Sequence, residues 1–160
     1  MRLIVCCVGQ RAPAWVSAGF DDYARRMPRE MPIHLVEVRP ERRPAKAPGA
    51  ASLARMVTLE AERIRAALPS ACTVVALDET GRSFTTSQFA RRLEEFRREG
   101  RDVAFVIGGA DGLDKGLKQS AALLLSLSTM TLPHQLVRVL LVEQLYRGAS
   151  LLQHHPYHRE

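Results

Sequence analysis

Short, continuously apolar runs alternate along this chain with segments whose apolar residues recur every three or four positions. Leu3–Val8 is such a run, rich in β-branched residues and closed by Gly9, and it reads as a strand buried on both faces. Over 15–27, Val16, Phe20, Tyr23, Ala24 and Met27 fall at helical spacing, and Pro28 and Pro32 then punctuate. Ile33–Val38 is a second strand. Segment 39–51 carries three prolines, a glycine and four basic residues, so it is expected to be a basic loop. A helix over 52–68 follows, with Leu53, Met56, Val57, Ile64 and Leu68 on one face, and then a third buried strand over 73–77, closed by Asp78. A helix over 85–98 shows a Phe89, Leu93, Phe96 stripe, with Thr85, Thr86 or Ser87 as its N-cap. Val103–Ile107 is a fourth strand running into Gly108-Gly109. A short helix over 117–122, an apolar fifth run over 123–127, and a helix His134–Leu152 that starts after Pro133 complete the chain.

Strands alternating with helices, and apolar on both sides, predict one α/β domain over 1–160: a mostly parallel sheet with helices on both faces. Ligands of such sheets sit beyond the carboxyl ends of the strands. Here those ends are Gly9, Asp78, Gly108-Gly109 and segment 128–133. The last helix is apolar around most of its circumference, from Leu136 to Tyr146. That implies burial on a second side, by another copy of the chain about a two-fold axis or by a central place in the monomer core.

Composition alters this picture in one respect. The 160 residues carry a net charge of +6, which favours a polyanionic partner such as nucleic acid. Arg25, Arg26, Arg29 and the 39–46 loop read as an uncompensated basic rim for RNA, whereas Arg91, Arg92, Arg97, Arg98 and Arg101 alternate with glutamates and read as a solvated, ion-paired face. Cys6, Cys7 and Cys72 sit in apolar runs without a CxxC pair and are expected to be buried free thiols of a reducing compartment. No signal segment and no membrane-length apolar stretch is visible, so a cytoplasmic location is expected.

Three segments are candidates for chemistry. The turn Gly108-Gly109-Ala110-Asp111-Gly112 follows a strand and is either a tight turn or a ligand loop; it has neither a dinucleotide fingerprint nor a phosphate-loop lysine. Segment 128–133 is short, hydroxyl-rich and irregular, suited to an adenine edge or to plain capping. The tail, with Tyr157, His158 and Arg159, combines a ring to stack on a base, a group for proton transfer and a cation for an anion; its ligand pattern does not suit a metal, and none is expected. Asp78 and Glu79 are adjacent and should point apart.

Taken together, Val8-Gly9, Ala76-Leu77-Asp78, FVIGG with Gly112-Leu113, Leu127-Ser128 through TLPH and RVLLVEQLYR, and the terminal PYHRE resemble the small SPOUT-superfamily methyltransferases known as ribosomal RNA large subunit methyltransferase H. The likeness spans essentially the whole chain. It implies a C-terminal trefoil knot whose crevice holds S-adenosyl-L-methionine, a homodimer in which one tail completes the other subunit's site, and N3-methylation of a pseudouridine in 23S (large-subunit) rRNA of the assembled ribosome. The cofactor contacts it implies fall on Leu77, Gly109, Ser128, Thr129, Met130, Thr131, Leu132 and Pro133. Its catalytic group would be His158 as nominal base, Arg159 or Arg147 to stabilise the imide anion, and Tyr157 to frame the base. A related enzyme of transfer RNA, or a non-catalytic ribosome-binding factor using the basic rim, are the competing readings.

Overall fold

The computed structural model describes residues 1–44, 47–153 and 157. The elements are β1 (Leu3–Val8), α1 (Ala14–Arg26), β2 (Ile33–Val38), α2 (Ala50–Ala67), β3 (Thr73–Ser83), α3 (Thr86–Glu99), β4 (Val103–Ile107), α4 (Lys115–Ser120), β5 (Leu123–Ser126) and α5 (His134–Leu152). All neighbouring strands pair in parallel, in the order β2-β1-β4-β3-β5.

Side chains alternate across a strand, so each strand feeds two cores. Leu3, Val5 and Cys7 of β1 pack with Phe20 of α1, Phe89 and Leu93 of α3, and Leu141 and Leu145 of α5. Cys6 and Val8 pack with Ala61 and Ile64 of α2 and Leu117 of α4. Helices therefore cover both faces. β1 and β4 are buried throughout, as continuous apolar runs should be, whereas β2 is an edge strand with His34, Leu35 and Glu37 exposed. Thr85 is the N-cap of α3: its hydroxyl accepts from Gln88 N, and the Gln88 side chain accepts from Thr85 N, a reciprocal box that fixes the helix start. Asp114 caps α4 by accepting from Leu117 N, which starts that helix before the 117–122 expected from apolar spacing.

α5 lies between α1 and α3. Val139 approaches Gly19 of α1, and Leu93 of α3 approaches Gly148 so closely that a Cβ there would stand 2.8 Å from its Cδ1. No residue of α5 is exposed. Much of its wide apolar circumference is thus used inside one chain. Arg138, only 1% exposed, donates from Nη1 to Glu37 Oε1 (2.6 Å) and from Nη2 to the Gly9 carbonyl (3.0 Å), tying α5 to the ends of β1 and β2.

β3 continues to Ser83 rather than stopping at its last apolar residue, Leu77. Leu125 of β5 is in register with both Leu77 and Arg82, and Ser126 with Ser83. Between them the register shifts, and Gly81 comes close against the β5 backbone. A Cβ on Gly81 would stand 2.7 Å from the Leu125 carbonyl carbon and 2.8 Å from that of Leu124, contacts that real side chains do not make. Gly81→Ala should cost about 1–3 kcal/mol, the scale of overpacking against atoms that cannot move aside. Urea denaturation would read this as a lower midpoint at unchanged slope.

Candidate active site

A cavity of about 540 Å³ opens at the carboxyl ends of β3, β4 and β5. Leu77 from β3, Gly109 after β4, and Ser128, Met130, Thr131 and Leu132 after β5 all line it. Thr129 and Pro133 do not appear in its wall; Pro133 is instead the N-cap of α5. His134 and Val137, from the first turn of that helix, close the far side.

The glycine turn is both a tight turn and a cavity wall. Gly112 N donates to the Gly109 carbonyl (3.1 Å), and a Cβ on Gly108 would lie 2.6 Å from the Gly112 carbonyl, so this approach needs glycine. The 128–133 segment is held by its own hydroxyls. Ser126 Oγ donates to the Ser128 carbonyl (2.8 Å), Met130 N donates to Ser128 Oγ (2.9 Å), and Thr131 Oγ1 reaches Glu79 Oε2 (3.3 Å). Met130 is left 73% exposed at the mouth.

Asp78, Glu79, Asp111 and Lys118 are charged members of the cavity wall. Asp78 accepts from Thr80 N (3.0 Å), Thr80 Oγ1 (2.5 Å) and Lys118 Nζ (2.9 Å). Burial pushes its carboxyl up, but those hydrogen bonds outweigh burial and hold it below the usual range. Asp78 and Glu79 thus serve different partners, as adjacent residues should. Beneath the glycine turn, Glu60 is 2% exposed and accepts from Glu41 N (2.8 Å) and Arg43 Nη1 (3.3 Å) through Oε1. Arg43 Nε also donates to Asp111 Oδ2 in the turn itself (2.6 Å). Arg43 is therefore a clamp on the turn and not part of a free basic rim, and Arg26 is likewise paired, with Asp22. Lys46 lies outside the described residues.

The imidazole of His134 has a lowered pKa, first because it is partly buried and then because Arg138 and Arg43 are nearby cations. Burial pushes the Cys6 and Cys7 thiols up to about 12, which makes them inert. Cys72, expected to be buried, is only half-buried, at the start of β3.

Arg147 and Tyr157 come together, but away from the cavity. The Tyr157 ring packs on Tyr146 (centroids 4.6 Å) and under the Arg147 guanidinium (5.1 Å), and its hydroxyl lies 3.5 Å from Glu143 Oε1, the same oxygen that accepts from Arg147 Nε (2.8 Å). Burial and the neighbouring Tyr23 push the Tyr157 phenol up to about 12. The last α5 residue in the cavity wall is Val137. Arg147 lies roughly 15 Å further along the helix axis, at about 1.5 Å per residue. His158 and Arg159 lie outside the described residues.

Glu60, Arg138 and His134 were missed as site residues by sequence reasoning. A signal did exist for two of them. Glu60 fills the rung between Val57 and Ile64 on the apolar face of α2, and Arg138 stands three residues before Leu141 on that of α5.

A parallel α/β sheet with a cavity at its carboxyl ends defines a ligand-binding domain of the doubly covered type. A family model described as a predicted SPOUT methyltransferase matches residues 1–158, and the chain belongs to that family. Ribosomal RNA large subunit methyltransferase H of Burkholderia multivorans is 54% identical over 159 residues, covering 99% of both chains. The protein of the same name from Ralstonia pickettii is 52% identical over the same span. Among solved structures, a probable methylase family protein from Haemophilus influenzae matches with a TM-score of 0.56 at 15% identity, over 99% of this chain and 70% of that one, which is a likeness of fold.

The depressed pKa of His134 has a signed consequence. The folded state holds fewer protons there than the unfolded state, so its contribution to stability is complete above the ordinary value of 6.5 and is lost as pH falls through the folded pKa. An NMR titration should place the His134 midpoint below 6.5. His134→Gln should flatten the fall in urea midpoint between about pH 7 and about pH 5.

Proposed function

We propose that the protein transfers a methyl group from S-adenosyl-L-methionine to N3 of a pseudouridine in large-subunit (23S) rRNA, on the assembled ribosome and in the cytoplasm. The observation that carries this reading is the convergence of Leu77, Gly109, Ser128, Met130, Thr131 and Leu132 on one cavity at three strand ends. The names of the full-length relatives support the substrate class.

The cavity fits the donor in size and chemistry. Its volume, about 540 Å³, lies within the range of small-molecule sites. Leu77, Leu125 and Leu132 offer apolar walls for an adenine ring, and the glycine turn lets the backbone approach closely. When bound, the donor supplies a methyl already activated on a sulfonium sulfur. What the chain must supply is position and an ionised acceptor. A pseudouridine N3 carries an imide proton that would pass to His158 or to water; the methyl would then move to N3 as its bond to sulfur breaks, leaving a neutral thioether. Arg159, or Arg147 on α5, stabilises the imide anion, and Tyr157 frames the base.

Arg147, far along α5, and Tyr157, which packs on it, lie away from the cavity of their own chain. This supports a homodimer in which the tail of one subunit reaches the other's cavity. Leu35 and Trp15, which are 42% and 59% exposed, are apolar surface available to such a contact. The trefoil knot is part of the same proposal. The register shift of β3 on β5, in which Leu125 pairs with both Leu77 and Arg82, is the feature that supports it.

With labelled donor, transfer to ribosomes is expected, and label on transfer RNA or on no RNA at all would overturn the reading. Deleting 156–160 should lower transfer at least about 100-fold, the scale of a lost acid–base or positioning group, while calorimetry still detects donor binding. Sedimentation should give a dimer at assay concentrations; an active monomer would remove the composite site.

A further inference from the structure

A second depression, of about 530 Å³, lies on the flank of the β3–β5 ladder, between Arg82, Phe84 and Leu123 on one side and Arg91, Arg92 and Glu95 of α3 on the other. The charges of α3 are not all alike. Arg97 and Arg98 share Glu94 as ion-pair partner, Arg101 pairs with Glu99, and Arg92 with Glu95. Arg82 and Arg91 have no acidic partner within ion-pair distance among the described residues, so the groove keeps two uncompensated cations. The Arg82 guanidinium lies 4.7 Å from the Phe84 ring centroid, and that of Arg92 lies 4.5 Å from that of Phe96. Stacking of this kind orients a guanidinium plane and leaves its edge donors free, the geometry that receives phosphate oxygens in pairs.

We propose that this groove binds the phosphodiester backbone of the RNA substrate beside the methyl-transfer cavity. The inference rests on the reading of an RNA substrate and adds where that RNA lies. Thr80 and Leu125 line the cavity, and Arg82 and Leu123, two residues away on each strand, line the groove. Two residues of strand span about 7 Å, so one RNA strand can touch both openings. A regular row of phosphates suits two free guanidinium groups beside an aromatic ring better than a scattered acidic protein surface does.

The test is an Arg82→Glu/Arg91→Glu double variant assayed on ribosomes with labelled donor. Both side chains are exposed and neither holds an ion pair, so the urea midpoint and the donor affinity should match wild type. The expected result is a KM for ribosomes raised at least about ten-fold with kcat within about two-fold, since phosphate contacts position and do not react. The slope of log affinity against log salt should fall by about 1.4–1.8, the share of two phosphate contacts. Arg82→Lys/Arg91→Lys should restore the salt slope but only part of the affinity, since lysine keeps the charge and loses the paired donors. A benzophenone attached through Ala122→Cys, beside the groove, should crosslink to rRNA. Unchanged KM and salt slope, a crosslink to ribosomal protein, or no crosslink would each overturn the proposal. A wild-type protein that moves no label to rRNA would sink the substrate reading instead, and the crosslink would still report on the groove.

Discussion

One chain segment lying flat on another's backbone organises this domain. At Gly81 the distance to the Leu124–Leu125 peptides leaves no room for a side chain. The segment can take that path because residue 81 has none, and its neighbours are turned outward as a result. Asp78, Glu79 and Thr80 become cavity wall, and Arg82 and Phe84 are delivered to the next depression along. Asp78 then braces α4 through Lys118, and Glu79 braces the 128–133 segment through Thr131. A single close approach thus connects the shape of the cavity to the placement of the groove.

Most of the architecture was legible because apolar runs of five or six residues have few alternatives in a domain of this size. β1, β2 and β4 match the sequence reading residue for residue, and α5 starts at the expected His134. The second half of β3 was not legible: residues 78–83 contain no apolar side chain, and the strand resumes only where Arg82 and Ser83 pair with β5 after a register shift, which periodicity cannot report. The cavity residues were accessible because strand order converts the ends of three runs into neighbours. Glu60 and Arg138 escaped because a charge on an apolar stripe looks like an interruption, when here each is the polar centre that fixes a loop or a helix end. Leu53, Met56 and Val57, expected on the core face of α2, are only half-buried, while Glu60 and Ala61 take the deeper positions.

Net charge also proved a poor map of where cations act. Arg43, counted in the expected rim, is turned inward onto Glu60 and Asp111, and Arg138 sits in the core. Conversely Arg91, assigned by pattern to an ion-paired helix face, has no acidic partner among the described residues. Pairing is decided by which carboxylates the fold brings within reach, and on α3 the glutamates favour Arg92, Arg97 and Arg98.

Arg138 carries a consequence for how the molecule is made. Its bonds to Glu37 and to the Gly9 carbonyl join the first two strands to the last helix, across 101 and 129 positions of chain. During synthesis the amino-terminal strands leave the exit tunnel long before their partner exists, and their apolar face stays uncovered until α5 arrives to lie between α1 and α3. The core on the α2 and α4 side contains no residue of α5 and can close first, but the core on the α1 and α3 side cannot. Completion waits for the final helix, and a message truncated before it would yield a sheet with one side open.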